Sequence, residues 1–143
     1  MTDTNSIQAV PDLLHQVIAW AKSQPDMKGI ALVGSYARGT ARPDSDVDLV
    51  LLCTSPPTFV DDPAWVHRFG TVLTCQIEDW GLLTSLRICY RHGLEVEFGL
   101  TTPQWAAVPV DAGTRQVVTD GMCILWDPQG ILGRLRQAIV SID

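Results

Sequence analysis

Residues 47–53, VDLVLLC, are apolar at every position but Asp48, and a second aspartate, Asp46, stands two residues upstream. Val47, Leu49, Val50, Leu51 and Leu52 mark a mostly buried strand, whose successive side chains point to opposite faces. Asp46 and Asp48 therefore share a face. Two carboxylates ~4 Å apart repel by roughly 4 kcal/mol at an effective dielectric of about 20. A positive group belongs between them, and Mg²⁺, a hard cation that prefers oxygen ligands, is the natural candidate.

The segment just upstream supplies what a metal-bound polyphosphate needs. Residues 28–33, KGIALV, read as a short buried strand ended by Gly34-Ser35, a tight turn where backbone N–H groups and a hydroxyl can approach an anion. A helical turn from Ser35 to Arg38 would add its first amides to that site. Arg38 and Arg42 lie beside it and can offset triphosphate charge, although a solvated loop role suits them equally. Ser45 shapes the turn before Asp46.

Simpler motifs fail on particular residues. Gly34 and Gly39 have the spacing of a Walker A loop, but Thr40 stands where that loop needs its lysine. Asp44, Asp46 and Asp48 imitate the start of an EF-hand loop, yet Leu49 replaces the required glycine and the second half is hydrophobic. No G-x-G-x-x-G pattern is present. The bland alternative is a polar turn leading into a strand, with Asp46 capping and Asp48 exposed.

Gly34-Ser35, Ala37-Arg38-Gly39 and Asp46-Val47-Asp48 together resemble the nucleotidyltransferase superfamily that includes DNA polymerase β, above all its minimal and aminoglycoside adenylyltransferase-like branches. The resemblance runs from about Lys28 to Leu100. It implies an α/β (α+β) fold in which a small mixed sheet is flanked by helices. It also implies a triphosphate held at the glycine-serine turn, and two Mg²⁺ ions held by the two aspartates and a third acid from a later strand. In residues 94–100, LEVEFGL, apolar residues alternate with Glu95, Glu97 and Gly99. Glu97, between Val96 and Phe98, fits the third position better than Glu95, which lies nearer the strand end. Gly34, Ser35, Arg38 and Arg42 become the nucleotide-binding candidates, with Asp46, Asp48 and Glu97 as metal ligands and catalytic acids.

Composition fits one domain over residues 1–143, with the motifs in about 28–100. The chain has 143 residues, 46% of them hydrophobic and 18% charged, enough to bury a core and too apolar for disorder. No apolar run approaches the ~18 residues of a membrane span, and the first ten residues lack a signal peptide's basic start, so a cytoplasmic protein is expected. A net charge of −6 argues against an extended nucleic-acid surface, which needs a basic stripe. The same charge suits a small cationic acceptor. Cys53, Cys75, Cys89 and Cys123 form no C-x-x-C pair and are expected as reduced core residues. The tryptophans are expected in the core, although Trp80 could reach an acceptor pocket, and His15, His67 and His92 have no metal spacing.

Periodicity predicts a helix over 11–23, strands at 28–33 and 47–53, a Pro-rich loop at Pro56-Pro57, and a helix starting at Asp61-Asp62-Pro63 and running through Phe69. Paired strands follow at 71–78 and 82–90 around Asp79-Trp80-Gly81. The Glu97 strand, a helix over 111–118, a strand at 122–126 and a helix over 129–142 complete the chain.

The activity implied by the resemblance is transfer of a nucleoside monophosphate, by family habit AMP from ATP, to a hydroxyl. The acceptor is a small, aminoglycoside-like molecule. One alternative is an antitoxin that adenylylates a HEPN-type partner protein, and another is a nucleotide-binding module without catalysis. About forty residues follow Glu97, so a shallow acceptor site, or one completed by a homo-oligomer or partner, is expected.

Overall fold

A computed structural model of the chain describes residues 2–107 and 110–142. Helix α1 (Thr2–Lys22) leads into β1 (Met27–Val33), a single turn α2 (Ser35–Arg38) and β2 (Val47–Cys53). Helix α3 (Pro56–Asp61) and a 3-10 helix at Pro63–Phe69 precede the strands β3 (Val72–Asp79), β4 (Leu83–Tyr90) and β5 (Glu95–Thr101). A 3-10 turn at Pro103–Ala106, helix α4 (Ala112–Asp120), β6 (Met122–Trp126) and α5 (Ile131–Ile142) follow.

The six strands form one sheet in the order β3-β4-β5-β2-β1-β6. Only β2 and β5 pair in parallel; the other neighbours are antiparallel, so the sheet is mixed, as expected. Both faces are covered over the central strands. On one face Leu49, Leu51, Leu86, Ile88 and Phe98 pack under α1, α3 and the first 3-10 helix. Trp20 stacks on Trp65 there at 4.7 Å between ring centroids, and Trp65 meets Phe98 edge-on at 4.9 Å. On the other face Val50, Leu52 and Ala31 pack under Trp105, Val118, Leu132 and Leu135. This double burial explains why residues 47–53 are almost wholly apolar, since each face of a central strand must meet a core. Asp48 is the exception, and it lies at the end of the second face.

Several elements differ from the sequence expectations. The first helix continues upstream through Pro11, which forgoes one backbone hydrogen bond without ending it. Pro56-Pro57 begin a helix instead of a loop, because both occupy the first turn, where a missing N–H costs nothing. The helix expected from Asp61 is split: α3 closes at Asp61, and Asp62 caps the 3-10 helix by accepting the N–H of Ala64. Asp111 lies outside its helix as the cap, its carboxylate accepting N–H groups of Gly113 and Thr114. Of the cysteines only Cys53 is fully buried; Cys75 and Cys123 are exposed, because their strands lie at the two sheet edges, and all four thiols are free. Trp20, Trp65 and Trp105 join the core while Trp80 is 62% exposed. Among the described residues no helix is long and apolar enough to cross a membrane.

Candidate active site

Sheet register builds the site. Across the strands from β3 to β1 one row of partners reads Gln76, Arg87, Glu97, Asp48 and Val33. Alternation then puts Asp46 and Glu95 on the same face one step earlier along their strands. The parallel pairing of β2 and β5 therefore sets Asp48 beside Glu97, 49 positions further along the chain.

The chain enters this row through two turns. Gly34 ends β1 with φ 75° and ψ −155°, a conformation essentially confined to glycine, and its carbonyl accepts the N–H groups of Ala37 and Arg38 to start α2. Gly39 closes α2 in the left-handed region. Further on, the Arg42 N–H donates to Ser45 Oγ at 2.7 Å and the Ser45 N–H to the Arg42 carbonyl, which turns the chain into Asp46. Gly34 also makes room for the acid: a Cβ built on it would lie 2.3 Å from Asp48 Oδ2.

The electrostatics are those of crowded carboxylates. Asp48 is pushed up to about 7, first by burial and then by the negative charge of Glu97 and a hydrogen bond with it. Its Oδ1 is buried with no hydrogen-bond partner. Asp46 is pushed up to about 6, chiefly by its hydrogen bond with Glu95, whose own carboxyl the same bond holds below the usual range. One positive group lies among them. Arg87 reaches Asp46 Oδ2 and Glu97 Oε2, each at 3.5 Å, and its Nε donates to Glu78 Oε1 at 3.0 Å. Sequence reasoning passed over Arg87, although it is the one charged residue in the β4 segment LTSLRICY.

An orphaned buried carboxylate oxygen, a second acid in register with it and a third acid two residues away form a donor set of hard oxygens that fits Mg²⁺. As they stand, no three acidic, imidazole or thiol groups among the described residues surround a common point. Asp46 is turned to Glu95 and Arg87, and Asp48 to Glu97.

A cleft of ≈ 710 Å³ opens beside this row. Gly34, Arg38, Asp48 and Glu97 line one part of it, Trp80 to Leu83 of the β3–β4 turn another, and Trp105, Asp111, Thr114 and Asp120 a third. Ser35, Arg42, Asp46 and Glu95 are not among the lining residues. Arg38 and Arg42 are both exposed, but only Arg38 reaches the cleft.

The model of the streptomycin adenylyltransferase family matches residues 8–95, a span that holds Gly34, Asp46 and Asp48 and stops short of Glu97. A bifunctional uridylyltransferase/uridylyl-removing enzyme of Bordetella pertussis is 33% identical over 81 residues, which cover 54% of this chain and 9% of that protein. An aminoglycoside 6-adenyltransferase from Bacillus subtilis superposes with a TM-score of 0.50 at 15% identity, covering 63% of this chain and 34% of that one. The Cid1 structure with the UTP analog UMPNPP gives a TM-score of 0.52 at 14% identity, covering 81% of this chain and 34% of that one. At such identities the two structures speak for the fold alone, and this chain spans only a small part or about a third of the proteins it matches. The family match covers more than half of the chain and holds its glycine turn and aspartate pair, and on that ground the chain belongs to the streptomycin adenylyltransferase family, within the polymerase β-like nucleotidyltransferases.

Proposed function

We propose that this chain is a Mg²⁺-dependent nucleotidyltransferase that moves AMP from ATP to a hydroxyl of a small cationic acceptor of the aminoglycoside kind. The observation that carries the reading is the meeting of Asp48, with its orphaned buried oxygen, and Glu97 beside the Gly34 turn. AMP as the transferred group rests on the family's adenylyl chemistry. A cationic acceptor is favoured by the cleft, whose lining holds Asp48, Glu97, Asp111 and Asp120 against the single cation Arg38.

The residues divide the work by position. Gly34-Ser35 present backbone to the triphosphate, and Arg38 offsets the charge of the departing pyrophosphate. Asp46, Asp48 and Glu97 would hold Mg²⁺, which when bound neutralises the phosphates and lowers the pKa of the acceptor hydroxyl. Glu97 takes that hydroxyl's proton as its oxygen bonds to the α-phosphorus and the bond to the pyrophosphate oxygen breaks. Arg87 holds Glu97 and Asp46 in place and limits their mutual repulsion.

Incubation with ATP, Mg²⁺ and a panel of hydroxyl-bearing aminoglycosides, read by pyrophosphate release and by the mass of the acceptor, tests this directly. Adenylylated acceptor is expected. Pyrophosphate release with no modified acceptor from any member of the panel would remove the acceptor class. The two glutamates separate cleanly in the same assay. Glu97→Gln should lower kcat by about 10²- to 10⁴-fold, the usual worth of a general base, whereas Glu95→Gln should cost under ~10-fold. The opposite order would transfer the third position to Glu95.

A further inference from the structure

The outer edge of β3 pairs with no strand among the described residues. The Trp80 N–H donates to the Leu83 carbonyl, so the alternating register makes Glu78, Gln76 and Thr74 the residues that bond inward to β4. Cys75, Ile77 and Asp79, together with Leu73 at the irregularity, then direct their N–H and C=O groups outward. Such edges are usually blunted by lysine, proline or short length. β3 is eight residues long with neither residue, and its Leu73 and Ile77 side chains are 61% and 58% exposed.

Charge is distributed along this edge with a direction. The exposed His67 and Arg68 precede the strand, and Arg91 lies at the same end, its N–H donating to the Thr71 carbonyl. Asp79 closes the other end, next to Glu78, whose carboxylate Arg87 holds within the chain. An antiparallel copy of the same strand would lay its acidic end against the basic end of the first. A two-fold axis through Cys75 sets Leu73 opposite Ile77 of the second copy and brings Asp79 toward the end of the strand where Arg91 bonds to Thr71. Moving the axis to Gln76 would instead put Leu73 against Asp79, and moving it to Ile77 would put Cys75 against Asp79.

We infer that β3 is a homodimerisation edge, joined to a second copy of this chain in antiparallel register about Cys75. Because that axis stands normal to the sheet, the two sheets continue into one, with both clefts opening on the same side. Nothing in this pairing depends on the nucleotidyltransferase reading.

Sedimentation of the 143-residue chain tests it. A reversible dimer is expected at tens of micromolar, together with loss of the dimer in Ile77→Lys at an unchanged circular dichroism spectrum. Paired Cα atoms in such a register lie ~5.5 Å apart, within disulfide reach. Mild oxidation should therefore yield a reducible covalent dimer that Cys75→Ser abolishes and Cys123→Ser retains. A monomer at high concentration, a dimer that survives Ile77→Lys, or cross-linking through Cys123 would each overturn the assignment.

Discussion

Asp48→Asn is expected to abolish nucleotidyl transfer while making the metal-free fold more stable above neutral pH. Both effects come from one side chain held where a charge is costly. Asp48 sits beside Glu97 with one oxygen buried and unpartnered, and its carboxyl is pushed up to about 7 by burial first and by Glu97 second. A carboxyl raised in the folded state takes up its proton more readily there than in the unfolded chain. Its stabilising contribution is complete below the ordinary value of 3.8 and is lost as pH rises through about 7. Metal-free wild type should therefore melt at progressively lower temperature as pH rises from about 4 to about 7, and Asp48→Asn, which keeps the shape without the charge, should melt at least ~3 °C higher at and above neutral pH. Activity should fall more than about a thousandfold, ~4 kcal/mol of barrier. A thermal scan and the transfer assay check the two halves separately. Activity within ~10-fold of wild type would remove Asp48 from the metal site.

Gly34→Ala is expected to cost far more than the same change at Gly39. The added Cβ would stand 2.3 Å from Asp48 Oδ2, and the backbone at φ 75°, ψ −155° adds a conformational cost of about 1–3 kcal/mol for any residue but glycine. The clash turns the Asp48 carboxylate away from its place beside Glu97 and deforms the turn proposed to face the triphosphate. Gly39→Ala is the matched control, with φ 75° and ψ 20° but open space around its Cβ. It should lose only about 1–2 kcal/mol. Denaturant midpoints of the two variants, with nucleotide binding measured alongside, decide the matter. Equal losses at the two positions would mean that the approach of Gly34 to Asp48 carries no weight.

The parts of this site that were legible in sequence are those written locally. Strand alternation put Asp46 and Asp48 on one face, and Gly34-Ser35 announced a turn because only a glycine fits there. The resemblance carried by these residues supplied the mixed sheet. What alternation could not supply was register between distant strands. Asp48 meets Glu97 through a parallel pairing, and Arg87 joins them through the next strand. Arg87 stood out in its own strand as a charge among apolar neighbours, yet nothing local said that three acids would surround it. Prolines misled for a related reason: Pro11 and the pair Pro56-Pro57 have the same local signature whether they break a helix, start one or sit within it, and packing decided each case. The exposed Cys75 and Trp80 escaped the core for want of a covering element beyond β4.

Calorimetric titration of ATP, GTP, CTP and UTP into the wild type and into the Asp46→Ala/Asp48→Ala protein, with and without Mg²⁺, tests the central claim most directly. Binding of ATP that needs both Mg²⁺ and the two aspartates is the predicted result. ATP binding that is indifferent to the metal or survives loss of both aspartates would contradict it.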